Sequence, residues 1–132
     1  MNNIFIYPAI FTPDDNALMV TFPDLPMVIT YGESIAHAYE MAKEALGAYL
    51  EMAIDSGDKL PEPTAPNKVK IPKGGFISLI DIDMIQFKIQ YANKAIKKTL
   101  TIPEWLNNMA ESRHINFSIT LQKALREELG IK

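Results

Sequence analysis

Residues 93–132 read as one strand-like stretch followed by two short amphipathic helices, and a segment of that make-up cannot bury its own apolar faces. In Ile96–Pro103 the side-chain period of a strand sets Lys97, Thr99 and Thr101 on one face and Lys98, Leu100 and Ile102 on the other. Pro103 suits a first helical turn, where a missing N–H costs nothing, and Glu104 complements the helix dipole. Trp105, Leu106 and Met109 then form an apolar stripe that should stop near Ser112 to His114. Asn116 is positioned to cap the next helix, whose stripe is Ile119, Leu121, Ala124, Leu125 and Leu129, with Gly130 at its end. A lone strand leaves both edges unpaired, and two short helices offer a thin core. A second copy solves both problems: two strands pair as an antiparallel ribbon, Leu100 and Ile102 meet the four helices, and Lys97, Thr99 and Thr101 stay outside. Such a ribbon fits the DNA major groove, where Lys donates to guanine and Thr bonds a base edge or touches a thymine methyl. Free N–H groups near Asn116 to Ser118 would meet a phosphate.

The charge agrees with this division. Residues 93–132 hold seven Lys or Arg against four acids, about +3, while residues 1–92 hold six Lys against twelve acids, about −6. The overall −3 would argue against nucleic acid, but the field at a binding face is set within about one Debye length. With no cysteine there is no disulfide framework and no Cys-containing zinc site. No apolar run approaches the roughly 20 residues of a membrane span, and MNNIFIYPAIF lacks the pattern of a signal peptide. A cytoplasmic protein is expected.

The first part reads as β-β-β-α-β. Ile4–Phe11 is a continuous apolar run in which Pro8 suggests an edge or a bulge, Pro13 to Asn16 supply a turn, and Ala17–Phe22 is a second strand. A corner at Pro23 to Pro26 leads into Met27–Tyr31. From Ser34, a candidate N-cap, apolar residues recur at three- and four-residue steps to Ala53, with Gly57 as the C′ residue. His37 stands where a capping box wants Glu or Gln. The stretch 57–75, with Pro61, Pro63, Pro66 and Pro72, is an extended connector, and Phe76–Phe87 reads as a strand returning to the sheet.

The segment KKTLTIPEWLNNMAESRHINFSITLQKAL resembles the ribbon-helix-helix module of HicB-type antitoxins, and YPAIFTPDDNALMVTFPDLP, VITYGES and AKEALGAYL are similar to the N-terminal part of the same family. The resemblance covers nearly the whole chain. It implies an α+β protein: a truncated RNase H-like domain over 1–92, including the connector near 57–75, and a ribbon-helix-helix dimerisation module over 93–132. It further implies that the first domain binds and neutralises a HicA-type toxin, a small mRNA-cleaving ribonuclease. The second would repress the operon by binding operator DNA as a homodimer. No cofactor, metal or catalytic residue is implied, so the chain is not expected to be an enzyme. The chain departs from the family at Met27, where Gly commonly follows the PDLP corner, and at His114, where the loop between the last helices often carries Gly.

Rival readings attach to the same residues. Asp81 and Asp83 share a strand face, and an RNase H-like fold brings to mind a metal-dependent nuclease, but that needs convergent carboxylates and the first strand has none. A solvated strand face is the better reading. A stand-alone repressor without a toxin is the other alternative. His37 and His114 lack any partner pattern for catalysis. Trp105 could stack on a base, but its spacing with Leu106 and Met109 favours a dimer core. Lys97, Thr99 and Thr101 alone would equally be a solvated edge strand. Tyr7, Phe11 and Phe22 suit either an exposed toxin-facing patch or the core.

Overall fold

The computed structural model describes residues 3–92 and 94–131. Met1, Asn2, the expected boundary residue Asn93 and the basic Lys132 lie outside the described residues. The chain divides into two compact units, Met1–Ala92 and Asn93–Lys132.

The first unit is a four-stranded antiparallel sheet in the order β3-β2-β1-β4, formed by β1 (Ile4–Asp14), β2 (Ala17–Phe22), β3 (Leu25–Gly32) and β4 (Phe76–Asp83). Asp14 pairs with Ala17 across a two-residue turn, where Asp15 takes φ 55°, a conformation its short polar side chain tolerates. β1 is central, yet its two ladders overlap only in part. It pairs with β4 over Ile4–Phe11 and with β2 over Ile10–Asp14. Pro8 therefore sits where β4 alone flanks the strand, which is how a central strand accommodates a residue without an N–H. At the second corner the ladder slips between Thr21 and Phe22. Met27, in β3, is not among the positive-φ residues, so the corner closes without the glycine conformation.

Helix α1 (Ile35–Asp55) covers one face of this sheet. Its buried stripe of Ala38, Ala42, Leu46, Leu50 and Ala53 packs with Tyr7, Ala9, Phe11, Val20, Phe22, Val28, Ile80 and Ile82 into one core. Ser34 caps it, accepting from the His37 N–H, while His37 Nδ1 accepts from the Glu33 N–H at 3.0 Å. His37 thus performs the return half of a capping box, displaced by one residue, and the helix start is better sealed than the sequence suggested. At the other end Gly57 takes φ 74°, and bonds from Gly57 N–H to Ile54 O and from Asp58 N–H to Ala53 O close a Schellman motif.

Two expectations are corrected here. The run Phe76–Phe87 is not one strand: β4 ends at Asp83 and helix α2 (Met84–Tyr91) follows directly. Asp83 is the cause, because its carboxylate accepts from the N–H groups of Ile85 and Gln86 and turns the chain into a helix. Met84 and Phe87, three apart, are buried on one side of α2. The proline-rich connector, apart from a short 3₁₀ turn at Pro66–Lys68, is extended as expected, but it joins α1 to β4 and is pinned to its own unit. The Tyr7 hydroxyl donates to Pro61 O at 2.7 Å, Asp24 accepts from both the N–H and the hydroxyl of Thr64, and Leu60 packs against the core.

The second unit contains helices α3 (Glu104–Ser112) and α4 (Phe117–Glu128). The loop between them is a second Schellman motif: His114 takes φ 55°, its N–H donates to Glu111 O, and the Ile115 N–H donates to Ala110 O. α4 ends the same way at Gly130, with φ 71° and a bond from the Ile131 N–H to Arg126 O. Residues 94–103 form neither helix nor ladder within the single chain.

Candidate functional site: two binding faces

Neither helix of the second unit contains a buried residue. Leu100, Ile102, Trp105, Leu106, Met109, Ile119, Leu125 and Leu129 are all at least 43% exposed, among them most members of the stripes that the spacing picks out. Two amphipathic helices that leave their apolar sides in water are half of something. Lys97, Thr99 and Thr101 are exposed, in the unpaired segment ahead of α3. Asn116 caps α4, its Oδ1 accepting from the Ile119 N–H at 3.1 Å, and Ser118 is exposed in the first turn. Backbone N–H groups at that end point outward as an anion-binding terminus would. Along the other end of α4, Ile119, Lys123, Arg126 and Ile131 line an open groove of about 410 Å³, a further part of the unpartnered side.

The first unit offers different chemistry. Its buried side is closed: Tyr7, Phe11 and Phe22 are at most 2% exposed and belong to the core, so the exposed aromatic patch considered from the sequence does not exist. Both faces of β1 are apolar, and α1 covers the one that carries these rings. Burial, together with the nearby Asp24 and Glu62 charges, raises the Tyr7 hydroxyl above its ordinary pKa. On the solvent side of α1, Glu40, Glu44 and Asp55 are exposed. The opposite face of the sheet is also open, with Ile4, Ile6, Met27, Ile29, Tyr31 and Leu79 all at least 46% exposed.

Asp81 and Asp83, which the nuclease reading would enlist, are occupied. Asp83 caps α2, and Asp81 accepts from the Tyr39 hydroxyl at 3.3 Å, a bond that, after burial, helps to raise the Tyr39 pKa. Among the described residues no group of three His, Cys, Asp or Glu is placed to hold a metal ion. No described helix is long and apolar enough to cross a membrane.

Known proteins share this arrangement. A family model described as the HicB-like antitoxin of bacterial toxin-antitoxin systems matches residues 7–125, spanning both units. Antitoxin HicB of Escherichia coli (strain K12) is 36% identical over 62 residues, 46% of this chain and 45% of that protein. The match to curated relatives of this kind thus spans less than half of their length. Among solved structures, a chain from a toxin-antitoxin complex of Streptococcus pneumoniae is 31% identical with a TM-score of 0.62, covering 95% of this chain and 99% of that one. The crystal structure of the Burkholderia pseudomallei antitoxin HicB is 27% identical with a TM-score of 0.54, covering 96% of this chain and 97% of that one.

Proposed function

Since this chain belongs to the HicB-like antitoxin family of bacterial toxin-antitoxin systems, we propose that it is a bifunctional, non-enzymatic antitoxin acting in the cytoplasm. Its first unit, a truncated RNase H-like domain, covers and neutralises a HicA-type mRNA-cleaving toxin, and its second unit represses their shared operon. The observation that carries the reading is a second unit whose helices expose their apolar stripes and bury nothing, attached to an acidic unit with a complete core.

The second unit acquires an interior when two copies pair as a ribbon-helix-helix homodimer. Residues 97–102 of each copy form an antiparallel ribbon, with Leu100 and Ile102 turned onto the paired α3 and α4 helices. Lys97, Thr99 and Thr101 then face the major groove of operator DNA and read base edges. The exposed N-terminus of α4 at Asn116 to Ser118 takes a phosphate on each side, fixing the ribbon in the groove. Toxin neutralisation rests on charge: a protein that holds RNA must be basic, and residues 1–92 carry six Lys against twelve acids. An acidic body steers the toxin in and occupies the surface that RNA needs.

Two measurements test the two halves. Purified chain, mixed with the HicA-type toxin encoded beside it and an RNA substrate, should suppress cleavage; undiminished cleavage at excess antitoxin rejects the first role. Replacing Lys97, Thr99 and Thr101 together by Ala should abolish gel-shift binding to operator DNA, since each lost base contact costs about 1–3 kcal/mol, while toxin inhibition is retained. Unchanged DNA affinity would mean that the ribbon is not the reader.

A further inference from the structure

The sheet of the first unit has a second apolar face that nothing in that unit covers. The registers place Ile29, Thr21, Ile10 and Ile77 in one row across all four strands, flanked by Tyr31, Met19 and Thr12 on one side and by Pro8 and Leu79 on the other. Ile6 and Ile4 extend the face along β1, opposite Asp81 and Asp83. Met27, which shares strand parity with Ile29 and Tyr31, is the most exposed of these residues at 71%. Antiparallel sheets with one wet face normally alternate apolar-in with polar-out, and this sheet does not.

We infer that this face is a self-association surface, joining the first unit to the same face of a second copy of this chain. The centre of the face carries no Lys, Arg or Glu, and its few carboxylates, Asp14, Asp81 and Asp83, lie at strand ends. A basic toxin finds little there to pair with, whereas an uncharged apolar sheet complements itself. The acidic groups that suit a basic partner are on the solvent side of α1, so the two kinds of surface are segregated within the unit. The half-exposed Ile, Leu, Met and Tyr side chains present on the order of 600 Å² per copy, and two copies together clear the roughly 1,000 Å² expected of a specific interface. Ribbon pairing, the reading this inference builds on, already ties two chains together and raises the effective concentration of one sheet near another.

Substitutions in the full chain separate the two interfaces. One variant carries Ile29→Glu with Leu79→Glu on the sheet, a second carries Leu100→Asp with Ile102→Asp in the ribbon segment, and a third carries all four; sedimentation equilibrium reads their masses. The ribbon variant should remain a dimer through its sheets, the sheet variant a dimer through its ribbon, and the fourfold variant should be a monomer. A monomeric ribbon variant, or a fourfold variant that is still dimeric, overturns the inference. A monomeric sheet variant overturns the ribbon pairing instead. If the ribbon variant is monomeric and the sheet variant no longer inhibits the HicA-type toxin, the face belongs to the toxin and the inference is equally overturned. Circular dichroism checks that the sheet variant is folded, and Ile6→Glu with Met27→Glu replaces the first pair if it is not.

Discussion

His114 is a non-glycine residue holding a glycine conformation, and the α3–α4 turn depends on it. Its φ of 55° places the N–H groups of His114 and Ile115 on the last carbonyls of α3. His114→Gly removes the Cβ from the left-handed region, so thermal or urea melts of the variant should show a gain of about 0.5–1 kcal/mol per chain. Gly47 presents the opposite case. A Cβ there would stand 2.3 Å from two ring carbons of Phe87 and 2.9 Å from Ile82 Cδ1, and the buried Phe87 ring lies against Tyr91. Gly47→Ala gains about 1 kcal/mol of helix propensity, but the overpacking exceeds it, and denaturant unfolding should show a net loss of about 1–2 kcal/mol. Tyr7 sets an alkaline limit. Because its folded pKa is raised above 10.0, the native state holds this proton more tightly than the unfolded chain does. That contribution is complete below pH 10.0 and is lost as pH rises through the folded value. Tyr7→Phe should flatten the fall in stability above that pH, as followed by denaturant melts in alkaline buffer.

At the scale of elements, the strap between α1 and β4 is held to the sheet corner by one carboxylate. Asp24 bonds both the backbone and the hydroxyl of Thr64. Asp24→Ala should free the strap while leaving the α1–sheet core in place. Trypsin should then cut faster at Lys59, Lys68, Lys70 and Lys73, and global stability should fall by about 1–3 kcal/mol. Unchanged cleavage would show that the prolines alone hold the strap extended. How far the elements could be read from sequence follows the same physics. β1, β2, β3 and α1 were legible because turn residues and a change of period bound them. α2 was hidden because its capping residue, Asp83, also completes the alternation of β4, so the helix start looks like one more strand position. The face of β1 could not be assigned, because Ile4, Ile6 and Ile10 are as apolar as Phe5, Tyr7 and Phe11. Only the placement of α1 decides which set is core, and for that reason Tyr7, Phe11 and Phe22 could be read as a surface. In the second unit the stripes, the Asn116 cap and the Gly130 stop could all be read locally. The strand at residues 97–102 needs a partner chain to form a ladder.

For the whole molecule, the division between a unit with a core and a unit without one makes assembly part of folding. Dilution should melt α3 and α4 while the first unit keeps its structure, since its sixteen buried hydrophobic residues are supplied by one chain. Circular dichroism across a concentration series checks this: helical signal should fall with dilution and recover on concentration, and a signal independent of concentration would contradict it. Under the proposed roles the two activities then follow different laws. Where free chains predominate, the paired, DNA-reading form declines as the square of the chain concentration, whereas the toxin-covering form declines only in proportion. A helix pair without an interior is thus a molecular counter: as the protein is depleted, its promoter is released while its toxin is still held, and synthesis resumes before protection fails.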